Sequence, residues 1–106
     1  MHVLRYVKEN GSIPFSDWFS RMRDKVAQAR IRIRLRQLEE GNFGDAKSVG
    51  RGVIELRVHV GIGYRVYCAR HDEDVVILLC GGGKHTQMSD IKVAQSYWDD
   101  WKRRHK

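Results

Sequence analysis

The chain has one proline, two cysteines and no apolar run approaching the ~20 residues of a membrane span. No membrane association is expected. The first residues, Met1 to Ser12, hold too short an apolar segment for a secretory signal, so a cytoplasmic location is expected. Cys68 and Cys80 are too few for a disulfide framework. On a hairpin turning at Asp72 and Glu73, position 68 faces position 77 rather than 80, which predicts buried free thiols. The cysteines lack zinc-site spacing and the five histidines are scattered, so neither a metal nor another cofactor is expected. Catalytic signatures are also missing. Gly81 to Thr86 lacks the first-glycine spacing of a phosphate loop, no G-x-S-x-G elbow occurs, and no pair of carboxylates approaches the surface described below.

What the chain has in excess is positive charge. Twenty lysines and arginines face 13 acidic residues, a formal charge of +7 with a pI near 9.8. That balance points to a polyanionic partner or an acidic protein surface. The 106 residues are expected to form one domain, burying roughly 60–70% of the unfolded surface.

The most informative stretch runs from Glu55 to Gln87. Leu56 and Val58 alternate with Arg57 and His59, and across the turn Gly61-Ile62-Gly63 Val66 and Cys68 alternate with Arg65 and Tyr67. Val75 to Cys80 is apolar throughout, as in a strand covered on both faces, and ends in Gly81-Gly82-Gly83-Lys84-His85. A sheet with an apolar underside then carries Arg57, His59, Arg65, Tyr67, Lys84 and His85 toward one open surface.

Around this run, His2 to Val7 reads as a first strand. A helix follows with Pro14 in its first turn and Phe15, Trp18, Phe19 and Met22 as a core stripe. From Asp24 to Glu40 the pattern is ambiguous, because Arg30, Arg32, Arg34 and Arg36 alternate with apolar residues as in a strand. Length, helix-forming flanks, the opening acid and the closing Gly41 favour a helix burying Ala27, Ile31, Leu35 and Leu38. That helix stacks Arg30 on Arg34 and Arg32 on Arg36, which costs about 0.2–0.5 kcal/mol per pair unless an acidic group intervenes. Either an acidic partner or Glu39 and Glu40 could supply it. Gly41 to Gly52 is a glycine-dense connection with Phe43 at the core edge and Lys47 and Arg51 near the basic face. A last helix is expected from about Ser89, burying Ile91, Ala94, Trp98 and Trp101, before a frayed basic tail at 102–106. The expected class is α+β, order β-α-α-β-β-β-α, with a small, mostly antiparallel sheet packed against helices.

Arginines can hold a phosphodiester and stabilise the added charge of five-coordinate phosphorus. A tyrosine, histidine or lysine can exchange protons with a 2′-hydroxyl and a leaving 5′-oxygen. The composition fits metal-independent RNA cleavage and simple RNA binding alike.

Several short motifs occur together: Gly41 to Asp45, Glu55-Leu56-Arg57, Gly63 to Tyr67, and Leu78 to Gln87 followed by Asp90-Ile91. On these, from Phe15 to Trp98, the chain resembles the RelE/ParE superfamily of type II toxin–antitoxin toxins, and most closely the HigB-like "addiction module killer protein" branch. The resemblance implies a compact RelE-like α+β endoribonuclease (an mRNA interferase) that cleaves messenger RNA at the ribosome. It implies neutralisation by a small helix-turn-helix antitoxin encoded beside it, with operator DNA reached only through that antitoxin. It assigns the scissile phosphate to Arg65, a second contact to Lys84 or His85, and a further one to Arg57. The chain lacks the tyrosine that RelE-type enzymes carry near the start of the final helix, which leaves His85, His59 or Tyr67 for proton transfer, or a catalysis that relies mainly on positioning and electrostatics. Lys47, Arg51, His59, Arg30 and Arg34 are the expected additional RNA contacts. The resemblance also admits a ParE-like inhibitor of DNA gyrase, or a degenerate toxin acting only in an antitoxin–DNA repressor complex.

Overall fold

A computed structural model describes residues 1–106. Its elements are β1 (His2–Arg5), α1 (Pro14–Ser20), α2 (Lys25–Glu39), β2 (Ala46–Ser48), β3 (Val53–Val58), β4 (Tyr64–Arg70), β5 (Val75–Gly83), a 3-10 turn (Lys84–Thr86) and α3 (Gln87–Arg104). The five strands form one sheet in the order β1-β5-β4-β3-β2. Neighbours are antiparallel except β1, which lies parallel to β5. The fold is therefore α+β with a mixed five-stranded sheet.

The alternation along β3 and β4 sorts side chains as expected, but both faces are covered. Leu56, Val58, Val66, Cys68, Val76 and Leu78 pack with Phe15, Phe19, Ala27, Ile31 and Leu38 beneath α1 and α2. Val53, Tyr67, Ala69, Ile77 and Leu79 pack with Ala94 and Trp98 of α3 on the opposite side. The basic face is thus only half open, because α3 crosses it.

A bulge between Tyr67 and Cys68 leaves Leu79 without a β4 partner, so Tyr67 faces Cys80 while Cys68 faces Leu78. It places the two cysteines in different cores, both buried and free. Burial pushes both thiols up to about 12. Gly81 and Gly82 are not a loop but the paired end of β5, opposite Val66 and Arg65. A Cβ on Gly81 would run into the Trp18 ring, and one on Gly82 into the Asp90 carboxylate. Glycine there lets α1 and α3 approach the sheet from its two sides.

Three local expectations change. The glycine-dense connection contains β2, an exposed edge strand whose three residues are too short to show a period. The last helix starts at Gln87, with Ser89 inside it, its hydroxyl donating to the Thr86 carbonyl. The basic tail is not frayed through Arg104: Arg104 donates to the Val7 carbonyl and to Asp100, and Tyr6 donates to Asp100 at 2.6 Å.

Helix α2 is a helix, as its flanks predicted. Asp24 caps it by accepting from Ala27 N at 2.9 Å. Its stacked arginines separate by turning in different directions. Arg32 lies over the Phe19 ring and Arg34 reaches the carbonyls of Phe43, Asp45 and Arg57.

A basic recess around a buried carboxylate

At the end of the sheet where α3 begins, Glu55, Arg57 and Arg65 project to the same side from paired strands. Arg57 faces Arg65, which faces Gly82, and Glu55 faces Tyr67. Glu55 is fully buried. An isolated carboxylate there would be strongly unfavourable, and four donors surround it. Gln87 Nε2 donates at 2.9 Å and the Tyr67 hydroxyl at 3.2 Å. Arg57 Nε donates at 3.4 Å, and Arg65 Nε lies 3.5 Å away. Burial alone would raise the Glu55 pKa, but the bonds from Gln87 and Arg57, with the charge of Arg65, outweigh it and hold the group ionised.

This anion fixes both arginines by their Nε atoms. Arg65 Nε is buried and makes no hydrogen bond of good geometry, and no protein group accepts from its Nη atoms. Arg57 has only Asp45, at 4.0 Å, as a second ion-pair partner. The side chains are 34% and 15% exposed for Arg57 and Arg65. Two guanidinium forks are thus oriented from behind, with their outer nitrogens left for an external anion.

Arg57, His59, Arg65 and Lys84 line one recess of about 370 Å3, closed by the Val60–Tyr64 turn. The backbone N–H of Lys84 donates to Gly63 O at 3.2 Å, which sets the 3-10 turn against that loop. His59 Nε2 meets the Asp45 carboxylate, and this contact holds Asp45 below the usual carboxylate range. A second recess of about 300 Å3 shares Arg57 and His59 and adds Arg30, Ile33, Arg34 and Asp45.

The structure therefore brings together Arg57, Arg65, Lys84 and His59, with Arg30 on the adjoining rim. His85 is exposed beside Lys84 without a protein partner. Four expected site residues stand elsewhere or are otherwise engaged. Tyr67 is buried under α3 with its hydroxyl on Glu55, and burial raises its pKa further, so it supports the arginines rather than reaching solvent. Arg34 is engaged by three backbone carbonyls and holds the Asp45 loop to β3. Arg51 pairs with Asp99 at 3.2 Å, before the start of β3 and roughly 20 Å of strand from Arg57. Lys47 borders a hollow at the outer sheet edge with Phe43, Ile54 and Arg70.

The sequence admits Glu55 or Asp74 as an ordinary sheet-face ion-pair partner of Arg57 and Arg65; the structure gives both arginines Glu55, and what sequence reasoning missed is its burial at the centre and Gln87 as its latch. The available signal was one acid, Glu55, interrupting the apolar Val53 to Val58 run in phase with Arg57 and, across the turn, Arg65. No three His, Cys, Asp or Glu side chains converge as metal ligands would. A larger hollow of about 810 Å3 lies along α3 by Tyr6, Lys92, Tyr97 and Arg103. Arg51 and Arg103 there pair with Asp99 and Asp100, and Lys8 and Lys92 are in no ion pair but have no buried carboxylate ordering them from behind.

No helix is long and apolar enough to cross a membrane. No solved structure matches the chain. An uncharacterized protein of Haemophilus influenzae is 48% identical over 84 residues, covering 79% of this chain and 85% of its own length. Residues 17–103 match the family described as Phage derived protein Gp49-like (DUF891). That span holds the buried carboxylate, both arginines, Lys84 and Gln87, and the chain belongs to the Gp49-like family.

Proposed function

We propose that the protein is the toxin of a type II toxin–antitoxin module, RelE-like in fold and of the HigB-like branch, cleaving messenger RNA at the ribosome without a metal ion. Membership of the Gp49-like family supports a toxin-type function. The observation that carries the cleavage reading is the pair of guanidiniums held by buried Glu55 in one recess with Lys84, the outer nitrogens of Arg65 unpartnered and those of Arg57 meeting only Asp45 at 4.0 Å. A whole-chain toxin unit of residues 1–106, acting in the cytoplasm and neutralised by a small helix-turn-helix antitoxin, completes the reading. Operator DNA is reached only through that antitoxin.

In this mechanism Arg65 and Arg57 hold the non-bridging oxygens of one phosphodiester, and Lys84 meets the charge that develops on phosphorus. The 2′-oxygen of the RNA attacks the adjacent phosphorus while the P–O5′ bond breaks, leaving a 2′,3′-cyclic phosphate and a 5′-hydroxyl. Asp45 accepts from His59 Nε2–H, which leaves Nδ1 as the free acceptor for the 2′-hydroxyl proton. His85, next to Lys84, is the donor to the leaving 5′-oxygen. Tyr67 and Gln87 act through Glu55 as positioning residues.

The test is cleavage of a defined message in a cell-free translation reaction. The wild-type chain should generate new 5′-hydroxyl ends, Arg65→Ala should not, and His59→Ala should slow their appearance by about 10²-fold or more. Full activity of Arg65→Ala would refute the site. Intact message with inhibited gyrase supercoiling would establish the ParE-like reading instead.

A further inference from the structure

The outward face of α2 carries an apolar stripe that the fold leaves uncovered. Val26 is 64% and Ile33 48% exposed, and Ala29 between them is also exposed. At 3.6 residues per turn these three side chains fall within about 60° of one another. Arg30 flanks the stripe on one side, Lys25 and Arg36 on the other, and all three are exposed. None of them is in an ion pair, and neither the Glu39 nor the Glu40 carboxylate pairs with a cation. The relief that Arg32 and Arg34 find in Phe19 and in backbone carbonyls is not extended to Arg30 and Arg36.

We infer that this face of α2 docks an amphipathic helix of a partner protein, apolar along one side and acidic on both flanks. Aliphatic side chains at i, i+3 and i+7 match a helix laid in register, and the flanking cations require carboxylates on the partner. Other occupants fit less well. A second copy would set like-charged flanks against each other, on chains of +7 each. RNA would use the cations but not Val26 and Ile33. A lipid surface would find only three small aliphatic groups and no aromatic or leucine anchor.

The stripe is joined to the basic recess. Arg30 and Ile33 line the hollow that Arg57 and His59 also line. A carboxylate entering that hollow from the bound helix pairs with Arg30 and competes with phosphate for Arg57. Binding of the helix and binding of RNA therefore oppose each other, each weakening the other by the same factor. That the helix belongs to the antitoxin rests on the toxin reading above; the docking surface does not.

The test uses the full chain and a fluorescent helical peptide of about 18 residues, with leucines at i, i+3, i+4 and i+7 flanked by glutamates, and its lysine counterpart. The acidic peptide should bind, slow amide exchange within 25–36, and bind at least tenfold more weakly to Val26→Asp/Ile33→Asp. Ala29→Glu, on an exposed helix position, serves the same purpose should the double variant fail to fold. The lysine peptide should not bind. Equal affinity for the variants, or protection confined to 57–65, would overturn the proposal. So would a wild-type dimer lost in Ala29→Glu, or tighter binding to anionic phosphatidylserine vesicles than to the peptide. None of these readouts involves RNA cleavage, so this proposal and the nuclease reading can fail separately.

Discussion

Glu55 is the residue on which the basic recess turns, although it never reaches a ligand. Its carboxylate turns two like-charged guanidiniums that face each other across β3 and β4 into an ordered pair. Removing it in Glu55→Ala leaves Arg57 and Arg65 side by side with only Asp45, at 4.0 Å from Arg57, as a counter-ion and empties a buried site. The expected loss is about 3–5 kcal/mol of unfolding free energy, read from urea titrations. Gln87→Ala removes one donor from the buried carboxylate and should cost about 1–3 kcal/mol, while lowering cleavage through looser arginines. Because Glu55 is held below the ordinary carboxylate range, its contribution is fully present above about pH 5. It is lost as pH falls through the depressed value. Melting curves of wild type should therefore fall more steeply below pH 5 than those of Glu55→Gln, and parallel curves would contradict this.

At the scale of elements, glycine and a bulge do what side-chain pattern cannot announce. The strand alternation correctly assigned Leu56, Val58, Val66 and Cys68 to one face, because β3 and β4 keep a period of two. It could not show that α3 covers the lower half of the other face, since packing of a helix on a sheet is not local. Tyr67 and Arg65 have the same parity and similar neighbours in the chain, yet one is sealed under α3 and the other opens on the recess. Helix α2 was legible from its length, its helix-forming flanks, its opening acid and its closing Gly41, but not from its arginines. The inward turn of Arg34 depends on where the Phe43 to Asp45 carbonyls lie. Asp24→Ala should cost about 1 kcal/mol through loss of the cap. Gly81→Ala should be worse, because its Cβ meets the Trp18 ring on one side of a paired strand. A thermal melt that leaves Gly81→Ala at wild-type stability would show that α1 can move aside.

Across the whole molecule, α3 joins the recess to the start of the chain. Its first residue, Gln87, holds Glu55, and its last turns are tied to Tyr6 and Val7, just after β1, by Asp100 and Arg104. Burial first, and the bond to Asp100 second, push the Tyr6 hydroxyl up to about 12. The stability this supplies is complete below about pH 10 and lost as pH rises toward 12. Tyr6→Phe should therefore melt lower than wild type at pH 8 and lose less on going to pH 11.5. The charge of +7 was legible at once and pointed to a polyanionic or acidic partner; its division between the recess around Glu55 and the α2 flanks was not. RNA affinity should fall with rising salt, with log K linear in log salt.

In the proposed mechanism Arg65, ordered from behind by Glu55, holds a scissile RNA phosphate. The decisive measurement maps the ends of a translated message with wild type, Arg65→Ala and Arg65→Lys. New internal 5′-hydroxyl ends should appear with wild type and none with Arg65→Ala. Arg65→Lys should be at least 10²-fold slower, because an ammonium keeps the charge but not the fork. Cleavage at the wild-type rate by Arg65→Ala would contradict that mechanism.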